Sequence, residues 1–483
     1  MAKYDYDIGI IGGGAAGLTV AAGAAQLGVK TILIEKDSKL GGDCLHYGCV
    51  PSKALIKSAS VYQKMRTAEH YGLPPVDLPP VDLGKVNDRI QGIIDKIQVH
   101  DSEERFCQLG AKVVFGDASF VDDHQVEYDG KRVSAKYWVL ATGSEPVELP
   151  IPGLAEAGYW TNMDIFSLRD LPKSMIVIGG GPIGCELAQA FSRLGTDVRI
   201  LQRNCQILAA DDQDMAEMVQ DAFRREGIGL DLCAETQEVR KTAAGVELTY
   251  EAHGETHTIS ADKILVAVGR QPSISTLQLE NAGVEYDARG VKVDDRLRTS
   301  QKHIFAAGDV IGKYQFTHAA GYEGGIVISN AVFKLPRKVD YTWMPWCTYT
   351  EPELASLGLN EMAATAAGIE YTVWDESFSV NDRAQAEGYP EGKIKLLLDK
   401  KGKPLGVQMV GVHAGELAAE WVAVLNSKTN LTTVASAMHA YPTVSEINKR
   451  VAGKVLSSKL FSDKVRKTLS FIFDYKGRAC TLD

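Results

Sequence analysis

The sequence predicts an α/β chain: two parallel β–α–β units followed by a C-terminal α+β region. Three observations predict it. At the N-terminus, YDIGIIGGGAAGLTVAAGAAQLGVKTILIE runs an apolar strand into a glycine-rich turn, a small-residue helix and a second strand. The same order recurs from Ser174 as SMIVIGGGPIGCELAQAFSRLGTDVRILQR. From Thr342, beginning TWMPWCTYTEPELASLG, strand-like and helix-like stretches mix.

In the first unit the strand Ile8 to Ile11 enters Gly12-x-Gly14-x-x-Gly17. The first glycine permits a tight turn, the second lets backbone N–H groups approach a pyrophosphate, and the third lets helix pack on strand. Glu35 ends the second strand, where a carboxylate accepts hydrogen bonds from a ribose diol. Strand, turn, helix and terminal acid together make a Rossmann-type dinucleotide site. In the second unit Gly179, Gly181 and Gly184 take the glycine places, while Gln202 falls where Glu35 stands and Arg203 where Lys36 stands. A carboxylate beside the ribose repels a 2′-phosphate, whereas a neutral residue followed by arginine accommodates one. The first site therefore suits an unphosphorylated adenosine, and the second NADPH in preference to NADH. Two such sites in one chain suggest two cofactors exchanging electrons.

With 483 residues the chain is too long for one core and suggests roughly two to four domains. A formal net charge of −10 argues against nucleic acid as the main partner. Ile8 to Val29 carries no charge, but its glycines fit a nucleotide-binding turn better than a membrane span. No secretion signal is evident, so the expected location is cytoplasmic.

Of the eight cysteines, at 44, 49, 107, 185, 205, 233, 347 and 480, only Cys44 and Cys49 are close neighbours. A zinc site usually needs two short pairs, and a secreted disulfide framework would be denser. The pair lies in GGDCLHYGCVPSKALIKSA, where Pro51 pre-sets a helical turn. A continuous helix would separate the two by about 7.5 Å along its axis. A disulfide tolerates Cα separations of only about 4.4–6.8 Å. The pair must therefore sit on an irregular turn, distorted by Gly48, if it closes. Near a helix N-terminus Cys49 would be favoured as a thiolate.

The motifs GGGAAG, GGDCLHYGCVPSK, ATGS, GGGPIG, VAVGRQP and AAGD, in this order, resemble the flavin-dependent pyridine nucleotide–disulfide oxidoreductases. This family includes dihydrolipoamide dehydrogenase, glutathione reductase and mercuric reductase. The resemblance covers nearly the whole chain and implies FAD in the first unit. Asp309 would bind the flavin ribityl chain, with Thr142 and Gly143 along the cofactor. Lys36, Gly42, Gly269 and Arg270 are further cofactor-binding candidates on the same motifs. Cys49 would face the flavin as the charge-transfer thiolate, and Cys44 would exchange with substrate. Lys53 would sit near flavin N5, paired with Glu186.

The family layout implies FAD binding over 1–150, NAD(P)H binding over 151–270, a return to the FAD domain over 271–341, and a dimerisation domain over 342–483. A homodimer follows. Thiol-reducing members place a histidine directly before the proline of the closing motif, oriented by a downstream glutamate. Here HAYPTVSE puts Tyr441 there, with His439 two residues earlier and Glu446 downstream. Tyrosine is a poor general base near neutrality. It is shared with the mercuric reductase branch, although the chain lacks that branch's extra N-terminal metal-binding domain and ends with a single Cys480. Cys480 is a candidate soft-metal relay. The expected acceptor is Hg(II) or a similar soft metal, or a quinone. The alternatives are a dihydrolipoamide dehydrogenase using NAD and, in another class, a low-turnover flavin redox sensor. Phe461, Val465, Leu469 and Ile472 predict a closing amphipathic helix packed on its own domain.

Overall fold

The structure is a computed structural model that describes residues 4–477 and 479–480. The chain divides into two compact units. One comprises Met1–Leu208 and Phe223–Tyr341, the other Ala209–Ala222 and Thr342–Asp483.

In the first unit, strand β1 (Tyr6–Ile11), helix α1 (Ala15–Gln26) and strand β2 (Thr31–Glu35) follow the apolar–glycine–small pattern directly. Two helices carry the cysteines, α2 (Gly42–His46) and α3 (Cys49–Arg66). Strands β3 (Ala111–Phe115) and β4 (Lys131–Leu140) complete a parallel core ordered β3–β2–β1–β4. The second repeat gives β5 (Ser174–Ile178), α4 (Pro182–Leu194) and β6 (Asp197–Gln202). With β7 (Gly229–Leu232) and β8 (Lys263–Val266) it forms a parallel four-stranded sheet, ordered β7–β6–β5–β8. The chain then returns to the first sheet through β9 (Ile304–Ala306), parallel to β4, and helix α5 (Thr317–Ala331). Ile8, Ile10, Leu33, Val139 and Phe305 of the strands pack with Val20 and Ala24 of α1, as parallel strands covered by helices require.

In the second unit five antiparallel strands are ordered β10–β11–β14–β13–β12: Pro345–Thr348, Glu353–Gly358, Pro404–Gly411, Lys393–Asp399 and Tyr371–Ser377. Helices α6 (Ala414–Asn426) and α7 (Glu446–Leu460) cover the sheet through Leu417, Trp421, Ile447 and Val451. The segment Ala209–Ala222, which the sequence places at 151–270, belongs here. Lys395 of β13 is 2% exposed, and its ammonium meets Asp212 at 2.9 Å, Asp214 at 2.7 Å and Glu361 at 2.6 Å. The three carboxylates outweigh burial and push the lysine above its ordinary value.

The closing helix forms as α8 (Asp463–Phe473), but none of its residues is buried. This corrects the expected packing on its own domain. The core around the sheet is already filled by α6 and α7, and Phe471 stays 92% exposed. Among the described residues, no helix is long and apolar enough to cross a membrane.

Candidate active site

The two glycine turns are built alike. A Cβ on Gly17 would lie 1.9 Å from the Gly12 carbonyl oxygen, and one on Gly184 would lie 2.0 Å from that of Gly179. Only glycine lets these helices start so close to their strands. Gly14 and Gly181 are the N-cap residues of α1 and α4, neither helix has a side-chain cap, and neither first turn holds an acid. The opening N–H groups of both are thus left to meet an anion. Gly42 packs its backbone against Gly14. These cradles fit the pyrophosphate of a dinucleotide such as FAD in the first unit.

Beyond the turns the units share a bond and differ in charge. Glu35 Oε2 accepts the Gly13 N–H at 2.5 Å, and Oε1 accepts that of Asp37. Burial raises the Glu35 carboxyl, and the two backbone donors offset part of the rise. Gln202 Oε1 accepts the Gly180 N–H at 2.9 Å. The amide keeps the carboxylate's structural bond and presents an NH2 group where Glu35 has its second oxygen. Lys36 and Arg203 are both exposed at the strand ends.

The cysteines do not share a helix. Cys44 lies in α2, Cys49 opens α3, and the chain breaks at Tyr47–Gly48 between them. A Cβ on Gly48 would lie 3.2 Å from the Cys44 Cα and 2.9 Å from an Asp43 carboxylate oxygen, so the close return needs glycine. Both cysteines are free thiols in this structure. The Cys44 thiol hydrogen-bonds to Cys49, which raises Cys44 far above the usual thiol range. The same bond lowers Cys49 to about 6, against the opposing pull of burial, with help from the Thr317 hydroxyl and the Lys53 charge. The Thr317 hydroxyl, at the start of α5, is 3.4 Å from Cys49 Sγ. Lys53 Nζ meets the buried Glu186 at 2.7 Å.

A polar frame joins the remaining candidates of this unit. Arg270 donates to Ser144 Oγ at 2.7 Å and pairs with Asp43 at 3.1 Å, while Ser144 Oγ donates to Asp309 at 2.6 Å. Burial raises the Asp309 carboxyl, and the Ser144 hydroxyl and Arg270 charge oppose the rise. Thr142 Oγ1 donates to the Ser273 carbonyl, and Gly143 accepts the Ser273 N–H. Gly269 accepts the Val147 N–H, tying the VAVGRQP stretch to the same strand end.

In the second unit the closing motif is not one relay. Tyr441 is 70% exposed, and its hydroxyl donates to Asp382 at 3.0 Å, which raises its pKa. His439 Nε2 meets Glu420 at 3.0 Å, and Glu420 is held in turn by Asn448 at 2.8 Å. Glu446 is the first residue of α7 and acts on Tyr441 only through its charge. Cys480 is an exposed free thiol.

Sequence reasoning missed Thr317, Asp382 and Glu420, each supplied by another element of the chain, and passed over Ser144, which ends the ATGS motif beside Thr142 and Gly143. It also took Cys205 and Cys233 as single. The structure corrects this with a disulfide between them, because β6 and β7 are neighbours and end side by side.

Residues 6–324 match the description "Pyridine nucleotide-disulphide oxidoreductase", and 344–452 match its dimerisation domain. The chain is 34% identical over 445 residues to a dihydrolipoyl dehydrogenase of Bacillus subtilis, covering 91% of this chain and 96% of that one. It is 32% identical over 415 residues to a mercuric reductase of Staphylococcus aureus, covering 86% and 76%. Among solved structures, the Cu(II) complex of the HOCl-induced flavoprotein disulfide reductase RclA from Escherichia coli superposes with a TM-score of 0.83 at 26% identity. That likeness covers 94% of this chain and 100% of the other. Two glycine cradles, a dithiol between them and these full-length likenesses lead to one conclusion: the chain belongs to the FAD-dependent pyridine nucleotide-disulfide oxidoreductase family of enzymes.

Proposed function

We propose that this enzyme passes two electrons from NADPH, by way of FAD and the Cys44–Cys49 pair, to Hg(II) or a similar soft metal ion, with quinones as the neighbouring acceptor class. FAD, when bound, supplies two-electron chemistry between the nicotinamide hydride and the disulfide. The Gln202 amide and Arg203 favour the 2′-phosphate of NADPH. The Cys44 thiol, the Thr317 hydroxyl and the Lys53 charge hold Cys49 as a thiolate, while Cys44 keeps its proton until it meets the acceptor. The match to a dimerisation domain supports a homodimer, in which HAYPTVSE comes from the second copy.

One observation carries the choice of acceptor: Tyr441 stands before the proline, bonded to Asp382 and protonated at neutral pH. His439 is tied to Glu420. Reducing a disulfide needs a proton delivered to the leaving thiolate; Tyr441 is no base at neutral pH, and both ring nitrogens of His439 are engaged, Nε2 by Glu420 and Nδ1 by the Ala437 carbonyl. A metal ion needs no proton. The mercuric reductase relatives and the Cu(II) complex of RclA support the same choice. The full-length likeness to dihydrolipoyl dehydrogenases favours a second reading, oxidation of a dithiol by NAD.

Proton stoichiometry separates a metal acceptor from a disulfide or a quinone, and turnover of dihydrolipoamide with NAD tests the second reading. NADPH plus mercuric chloride gives NADP⁺, metallic mercury, two chloride ions and one released proton. Reduction of a disulfide or a quinone consumes one proton instead. In weakly buffered solution, wild-type enzyme is expected to acidify the medium by one proton per NADPH oxidised, and Cys44→Ser to abolish this. Rapid turnover of dihydrolipoamide with NAD, and no metal-dependent NADPH oxidation, would sink the metal reading.

A further inference from the structure

The Cys205–Cys233 disulfide lies at the place where the second glycine-turn repeat discriminates its cofactor. In the parallel pair β6–β7, Gln202 is in register with Leu232, and each cysteine follows shortly after, on the turn leaving its strand. The Cys233 N–H donates to the Asn204 carbonyl at 3.1 Å. The segment Arg203–Asn204 is thus held between a β-ladder on one side and a covalent bond on the other. Arg203 itself is exposed and makes no hydrogen bond or ion pair with the described residues. Its position is therefore set by backbone alone. Cys205 is exposed and Cys233 half-buried, so an external thiolate can reach the Cys205 sulfur.

We propose that Cys205–Cys233 is a second thiol–disulfide site of this enzyme, which fixes Arg203 for the 2′-phosphate of NADPH and releases it on reduction by a protein or small-molecule dithiol. The inference rests on the NADPH reading and adds its regulation. In the exchange a dithiol thiolate attacks Cys205, the S–S bond breaks and Cys233 leaves as a thiolate. The second thiol then resolves the mixed disulfide. Two electrons and two protons pass from the dithiol, which ends as a disulfide, to Cys205 and Cys233. The released turn leaves a long, flexible side chain to be ordered at the moment of binding, and that ordering costs affinity. Only ligands that carry a 2′-phosphate feel the cost. A reduced enzyme thus loses part of its preference for NADPH while its Cys44–Cys49 chemistry is left in place.

The test measures binding of adenosine 2′,5′-bisphosphate and of 5′-AMP to the FAD-loaded enzyme by calorimetry. It is done before and after dithiothreitol, with free thiols counted by alkylation and mass spectrometry. Reduction is expected to weaken the bisphosphate about tenfold and to leave 5′-AMP within about twofold. A Cys205→Ala/Cys233→Ala variant is expected to match the reduced protein and to ignore dithiothreitol, which excludes an effect through Cys44 and Cys49. If that variant does not fold, reduced wild type carries the measurement. Unchanged bisphosphate affinity after the bond is shown to be open overturns the proposal. Arg203→Ala separates the two layers. If it weakens the bisphosphate but opening the disulfide does not, only the switch fails. If it leaves the bisphosphate untouched, the NADPH reading falls with it.

Discussion

In the reduced pair, the proton shared between Cys44 and Cys49 decides which sulfur is the nucleophile at neutral pH. Cys49 is lowered to about 6, first by the Cys44 hydrogen bond, so its thiolate is present above that pH and lost as pH falls through it. Alkylation of Cys49 by iodoacetamide in reduced enzyme is expected to follow that midpoint. Cys44→Ala removes the donor, and the midpoint should rise toward the ordinary thiol value of about 8.5, read as alkylation rate against pH. Gln202 decides the cofactor on similar terms. Gln202→Glu keeps an oxygen for the Gly180 N–H but brings a negative charge to the 2′-phosphate. KM for NADPH should rise about tenfold, with little change for NADH, in steady-state assays. Both residues were legible in the sequence because their meaning is local, a spacing or a strand end. Asp382 and Glu420 were not, since no local pattern says which acid a folded chain will bring to Tyr441 or His439.

Each glycine turn works as a unit of strand, loop and helix, and each fails at its tightest contact. Gly184→Ala would drive a methyl group to within 2.0 Å of the Gly179 carbonyl oxygen. It should cost about 3 kcal/mol locally and abolish tight NADPH binding, while flavin content, read from absorbance, is retained. The elements most readable from sequence were those whose period and punctuation agree, such as β1, α1 and β2. The Cys205–Cys233 bond was unreadable, with a sequence separation of 28, because it depends on β6 and β7 becoming neighbours. Helix α8 shows the converse. Its periodicity gives a helix correctly, but periodicity does not say whether a core has room for it, and the core of this unit is already filled.

Across the whole chain, the second unit is completed by a segment drawn from the midst of the first. Lys395 is the keystone, since it meets Asp212, Asp214 and Glu361 at once, with Lys393 adding a second cation on Asp214 alone. Lys395→Met should destabilise this unit by about 3–5 kcal/mol, seen as an earlier transition in thermal unfolding, because it strands buried negative charge. A chain cut at 342 would lose the segment altogether. The domain boundaries suggested by the motifs could not show this, since Ala209–Ala222 carries no motif and its partner lies far downstream. There is a consequence for biosynthesis. Asp212 leaves the ribosome 183 residues ahead of Lys395. The nascent second nucleotide unit therefore trails an acidic segment that nothing yet neutralises. It must stay open to solvent until the sheet that will claim it has been translated.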